Sequence, residues 1–212
     1  MGSFRQHLAG GIVGGIACGV VSHQIYDLQI EEAVAGGLLC MFGSLLPDID
    51  CPVSRPADFV IRISSVLVPV FAIQSLPNSF LTPSRILIIA VLTYLFAVYG
   101  IRELIKRFTE HRGIIHSIPA ALIWGGLVFI AFRNSAHLLQ IVIAVAATAG
   151  YAIHLIIDEL YSLVDISGGK FTPKKSAGTA LKLFSNSFLV NLFTYSLLGL
   201  ILYFCIRQGG FI

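Results

Sequence analysis

The sequence predicts an all-α, polytopic transmembrane bundle of about seven spans, forming one integral membrane domain over residues 1–212. Three observations lead there. The chain is 56% hydrophobic and only 12% charged, about half the charged share of a soluble domain. Its mean hydropathy is +0.86, more apolar surface than one globular core hides. The apolar residues fall in seven separate runs, several close to the ~20 residues that a helix needs to cross a bilayer.

The first run, Leu8–Ile25, follows a start carrying Arg5 and has no small-residue cleavage site before Asp27, so it reads as a span and not a cleaved leader. Its pairs Gly10/Gly14, Gly11/Gly15 and Gly15/Gly19 are spaced by four, which lets helices approach closely in lipid. The second run, Glu32–Leu46, repeats this with Gly36, Gly37 and Gly43 and is short, so it must tilt or sink into the bundle. The third, Phe59–Leu76, has Arg62 near its start, where a long side chain can snorkel to the interface. Ser84–Leu104 and Ala136–Ile157 are long enough outright, and Ile115–Phe132 and Phe188–Ile206 complete the set. Cys18, Cys40 and Cys205 lie in apolar runs as small hydrophobes, while Cys51 follows an acidic motif. No C-x-x-C pair is present.

Alternation of seven spans sorts the charges. Arg5, Arg55, Arg62, Arg102, Lys106, Arg107, Arg112, Lys170, Lys174, Lys175 and Lys182 fall on the face of the N-terminus, and Arg85, Arg133 and Arg207 on the other. Basic residues concentrate on the cytoplasmic side of membrane proteins, so the N-terminus and the basic 158–187 loop are expected to be cytoplasmic. A net charge of +3 gives no reason to expect nucleic acid.

The same face collects the chemistry. His7 precedes the first span, Asp48 and Asp50 follow the second, His111 and His116 lie between the fourth and fifth, and His154 and Asp158 close the sixth. His154 and Asp158 are four apart, hence on one helical face. Asp48 and Asp50 are two apart, so they point the same way if extended. His23 and His137 fall at the opposite ends of their runs and stand outside the group. Imidazole and carboxylate together suit Zn²⁺, Mn²⁺ or Fe²⁺. Seven candidates exceed the ligands of one catalytic zinc, so two ions or one ion with supporting acids are expected. Taken singly, each residue could be an ordinary interfacial side chain; their convergence from four segments points to a site.

Leu46-Pro47-Asp48-Ile49-Asp50, His111-Arg112-Gly113-Ile114-Ile115-His116-Ser117 and Gly150-Tyr151-Ala152-Ile153-His154-Leu155-Ile156-Ile157-Asp158 resemble the YdjM-like family of bacterial inner-membrane, metal-dependent hydrolases. The resemblance runs from His7 to about Lys182, and Lys175–Lys182 is similar to the tail motif of a subgroup. It implies a membrane hydrolase with ligands at His7, Asp48, Asp50, His111, His116, His154 and Asp158. More distantly, the pattern is similar to zinc-dependent phospholipase C enzymes. Ile115 departs from the family's usual Thr, which removes a hydroxyl beside His116 but no ligand.

The function expected is hydrolysis of an amphiphilic phosphoester from the cytoplasmic face of an inner membrane, with zinc or manganese bound. Asp50 or Asp158 would be the general base, and Arg112, Lys175 and Lys182 would offset charge on phosphate. Glu110 would orient a ligand histidine. The alternatives are a metal-ion or proton-coupled transporter, which usually places such residues near the midplane in repeated halves, and a non-catalytic metal-binding membrane protein.

Overall fold

The computed structural model describes residues 3–50, 55–100, 103, 115–163, 181–185 and 187–209, with the side chains of residues 49, 50, 55–57, 59, 60 and 163 excepted. Among these residues the chain is helical and has no strand. Seven α-helices follow one another: α1 Phe4–Gln24, α2 Ile30–Gly43, α3 Arg55–Gln74, α4 Pro83–Leu95, α5 Ile118–Ala131, α6 His137–Leu163 and α7 Phe188–Gln208. Short 3-10 turns at Leu46–Asp50 and Asn78–Phe80, and a π turn at Phe96–Gly100, link or extend them.

Each of the seven apolar runs became a helix, but the count of about seven spans is corrected. Among the described residues, four helical stretches are long and apolar enough to cross a membrane: Ile30–Asp48, Pro83–Gly100, His137–Ser162 and Phe188–Gln208. The second span reaches membrane length because the 3-10 turn carries the apolar stretch on from α2 to Asp48. The apolar parts of α3 and α5, Ile61–Gln74 and Ile118–Ala131, are shorter than a span. In α1 the polar residues Arg5, Gln6, His7, Ser22, His23 and Gln24 lie inside the helix itself and lower its mean hydropathy.

Glycine sets the helix contacts. The Cβ of an alanine at Gly15 would stand 2.5 Å from the Gly37 carbonyl oxygen, and one at Gly37 would stand 2.6 Å from that of Gly15. Backbone therefore meets backbone where α1 crosses α2. A Cβ added at Gly43 would likewise stand 2.6 Å from the Ala147 carbonyl oxygen of α6. Cys18 and Cys40 bring free thiols within 3.7 Å at the α1–α2 seam. Helix α6 is the centre of the body, packed on α1, α2 and α5. Of the most apolar 18 residues in His137–Ser162, 56% are buried, against 6% in Pro83–Gly100 and 17% in Phe188–Gln208. Helices α4 and α7 are thus peripheral and turn most of their surface outward, as lipid-facing helices do.

Two ends of the bundle are chemically distinct. At one, Phe4, Leu8, Leu45, Ile61 and Ile115 form a cluster beneath the polar residues. At the other, Asn134 donates to the carbonyls of Gln74 (2.6 Å) and Leu76 (2.9 Å), and Gln140 donates to Gln208 (3.2 Å).

Candidate metal centre

Four elements deliver five side chains to one point. Ser3 starts α1, its amide donating to the Gln6 side chain (2.6 Å), and His7 follows on the inward face, buried. Asp48 lies in the 3-10 turn after α2, anchored by the fully buried Pro47. His116 stands in the short non-helical segment before α5. Three bonds fix that segment: the Tyr151 hydroxyl donates to the Ile115 carbonyl, the Ser117 hydroxyl accepts from the Ala120 amide (3.3 Å), and the Ile118 amide donates to the Lys182 carbonyl (3.1 Å). His154 and Asp158 project from α6 one turn apart, both buried.

Asp158 is the hub. Its Oδ1 lies 3.2 Å from His7 Nε2, and its Oδ2 lies 3.5 Å from both His116 Nε2 and His154 Nε2. The Nε2 atoms of His116 and His154 are 3.3 Å apart, and Asp48 Oδ1 is 3.9 Å from His154 Nε2. The rings of His7 and His154 stack at 3.8 Å. Two triads, His7/His154/Asp158 and Asp48/His116/His154, each hold their ligand atoms within 4.8 Å of one another.

The donor set fits a divalent cation on three grounds. His154 Nδ1 is 2.8 Å from the Ser44 carbonyl oxygen. A carbonyl only accepts, so Nδ1 is the donor there and Nε2 is turned toward the cluster, the usual orientation of a ligating histidine. Second, among the described residues both ring nitrogens of His7 and Oδ2 of Asp48 are buried without a hydrogen-bond partner. His7 Nε2 is close to Asp158 but lacks hydrogen-bond alignment, and unsatisfied buried polar atoms are costly. Third, ligands about 2.0–2.1 Å from a tetrahedral zinc stand about 3.3–3.4 Å from each other. The observed separations of 3.2, 3.3, 3.5 and 3.5 Å bracket that value.

The structure thus brings together His7, Asp48, His116, His154 and Asp158. The backbone of Asp50 closes the 3-10 turn, and its side chain lies outside the described residues, as do His111, Glu110, Arg112, Lys175 and Cys51. Lys182 is half-buried, and its backbone pairs with Ser117 beside His116. The two excluded histidines are remote. His23 Nδ1 approaches the Leu28 carbonyl (2.8 Å) at the far end of α1, and His137 meets the edge of Phe129 at the start of α6. Over the 16 residues from His7 to His23 a helix rises about 24 Å.

Sequence reasoning missed Ser44 and Tyr151. Ser44 offers its carbonyl to His154, and its hydroxyl donates to the carbonyls of Met41 (2.7 Å) and His7 (3.2 Å). A backbone acceptor leaves no trace in residue identity. Tyr151 did leave one, three residues before His154 and so on a neighbouring face.

A family model described as YdjM inner membrane protein matches residues 1–211. The chain belongs to the YdjM inner membrane protein family. No curated protein and no solved structure matches it. The family assignment and the four apolar helices agree that this YdjM family member is an integral inner-membrane protein.

Proposed function

We propose that this YdjM family member is a metal-dependent hydrolase of a lipid-like phosphoester, with one or two divalent ions, zinc or manganese, held on the cytoplasmic side. The observation that carries the reading is the convergence of five buried or half-buried His and Asp side chains at ligand spacing. His7, Asp48, His116, His154 and Asp158 are the ligands proposed from the geometry, and His111 and Asp50 complete the set by motif. A divalent ion in such a site supplies Lewis-acid polarisation of a phosphoryl oxygen and acidification of water.

The chain's own groups take the remaining roles. Asp158 already faces three imidazoles, which supports Asp50 as the general base that removes a proton from water. Arg112, Lys175 and Lys182 balance negative charge on the phosphate. Lys182 gains support from its backbone pairing beside His116. Placement of the cluster at one end of α1 favours an enzyme over a transport path through the midplane.

The test is phosphate release from phospholipids and lipid-linked phosphates by the purified protein, with and without chelator. Release that chelator abolishes and Zn²⁺ or Mn²⁺ restores is the expected result. A metal-loaded protein that turns over no phosphoester would be a binding protein, and the hydrolase reading would fall.

A further inference from the structure

Ser44 is fully buried where α1, α2 and α6 meet. It caps the C-terminus of α2, its amide donating to the Cys40 carbonyl (3.1 Å). The last carbonyls of a helix find no partner within it, and the Ser44 carbonyl is taken by His154 Nδ1 of α6 at 2.8 Å. The hydroxyl is turned toward α1. Its one proton is shared between the Met41 carbonyl (2.7 Å) and the His7 carbonyl (3.2 Å), with the shorter bond the stronger.

Room for that hydroxyl exists because residue 11 has no side chain. A Cβ added at Gly11 would collide with Ser44 Oγ and stand 3.0 Å from Ser44 Cβ, inside van der Waals contact. Gly11 comes one helical turn after His7, on the same face of α1, and both are buried. The hydroxyl therefore fills the turn next to the His7 imidazole. How closely α1 seats on Ser44 decides how far His7 reaches toward α6. There its ring stacks on His154 at 3.8 Å, and its Nε2 comes 3.2 Å from Asp158 Oδ1. Among the described residues neither ring nitrogen of His7 has a hydrogen bond to hold that pose, so helix packing sets it.

We infer, resting on the reading of the cluster as a metal centre, that Ser44 and Gly11 are positioning residues that carry His7 into the ligand set. The hydroxyl, lodged where residue 11 has no Cβ, fixes the α1–α2 spacing at which His7 and His154 face the same ion. One residue of α2 thereby aligns both imidazoles of the stacked pair, His154 through its carbonyl and His7 through its hydroxyl.

The experiment titrates Co²⁺, which occupies zinc sites and reports its ligands through visible d–d bands, into the purified full chain in detergent. Ser44→Ala keeps the carbonyl that faces His154 and removes only the hydroxyl, so it should weaken binding about tenfold. Gly11→Ala forces α1 off α2 and should weaken binding about 100-fold. Its bands should change as they do in His7→Ala, because each variant takes one imidazole from the ion. Gly11→Ala/Ser44→Gly clears both atoms that the new methyl meets on residue 44, and should return the affinity to about that of Ser44→Ala. Added to His7→Ala, Ser44→Ala should change affinity by less than about twofold, since the side chain through which it acts is gone. An equal loss with and without His7 would show that Ser44 serves folding alone and would overturn the assignment. Wild-type affinity in both Ser44→Ala and Gly11→Ala would overturn it as well. A folded wild type that binds no Co²⁺ would instead sink the metal centre itself, and the positioning role with it.

Discussion

At the scale of single residues, the His/Asp cluster is held by contacts that lie behind its side chains. The Tyr151 hydroxyl donates to the Ile115 carbonyl and so fixes the segment that presents His116. Tyr151→Phe keeps the ring in its buried place and removes only that donor. The Ile115 carbonyl keeps its bond from the Ser117 amide (3.0 Å), so the change removes one hydrogen bond, about 0.5–1.5 kcal/mol, and loss of a supporting contact commonly lowers metal affinity about 10–100-fold. Metal titration of Tyr151→Phe should show a weakened site in a folded protein; affinity equal to wild type would show that the hydroxyl does not position His116. The clustered histidines His7, His116 and His154 were legible because imidazoles are scarce in apolar sequence and His154 and Asp158 stand at helical spacing. Ser44 was not, since its contribution passes through a carbonyl that every residue possesses.

At the scale of elements, hydropathy runs located all seven helices, but their value as spans depended on details that runs conceal. The turn Leu46–Asp50 extends α2 to membrane length, while α5 begins only after the bonds at residues 115–118 have fixed an extended segment. Glycine spacing in α1 anticipated close packing, and the structure shows the same device at a contact that spacing did not point to. A methyl group at Gly150 of α6 would collide with the Cys40 carbonyl of α2. Gly150→Ala should therefore push apart the two helices that carry His154 and Ser44, at about 1–3 kcal/mol or more for an overpacked core. Gly199 of α7 has nothing within 4 Å of an added Cβ, so Gly199→Ala should be neutral or gain up to about 1 kcal/mol of helix propensity. Thermal unfolding in detergent compares the two. Equal melting temperatures would show that the α2–α6 contact relaxes without cost.

At the scale of the whole molecule, helix directions carry the polar cluster to one end and leave the far end to neutral contacts such as Asn134 with Gln74 and Gln140 with Gln208. Arg5 lies at the cluster's end of α1, and basic residues concentrate on the cytoplasmic side of membrane proteins, so a cytoplasmic position is proposed for that end. A single cysteine placed at Ser3, in a background lacking the native cysteines, should be protected from a membrane-impermeant thiol reagent in intact cells, and labelling there would reverse the orientation. The sequence led to the expectation that seven His and Asp share an end; that His7, Asp48, His116, His154 and Asp158 close on one another was not legible, because that closure depends on the α1–α2–α6 packing. Metal content per chain tests the closure most directly. Measured on purified wild type, His154→Ala, Asp158→Ala and Lys182→Ala, it should be one or two divalent ions in wild type and in Lys182→Ala, whose ammonium does not ligate while protonated. It should fall about tenfold or more in the other two. Full metal content in His154→Ala and Asp158→Ala, or none in folded wild type, would contradict a metal centre at this cluster.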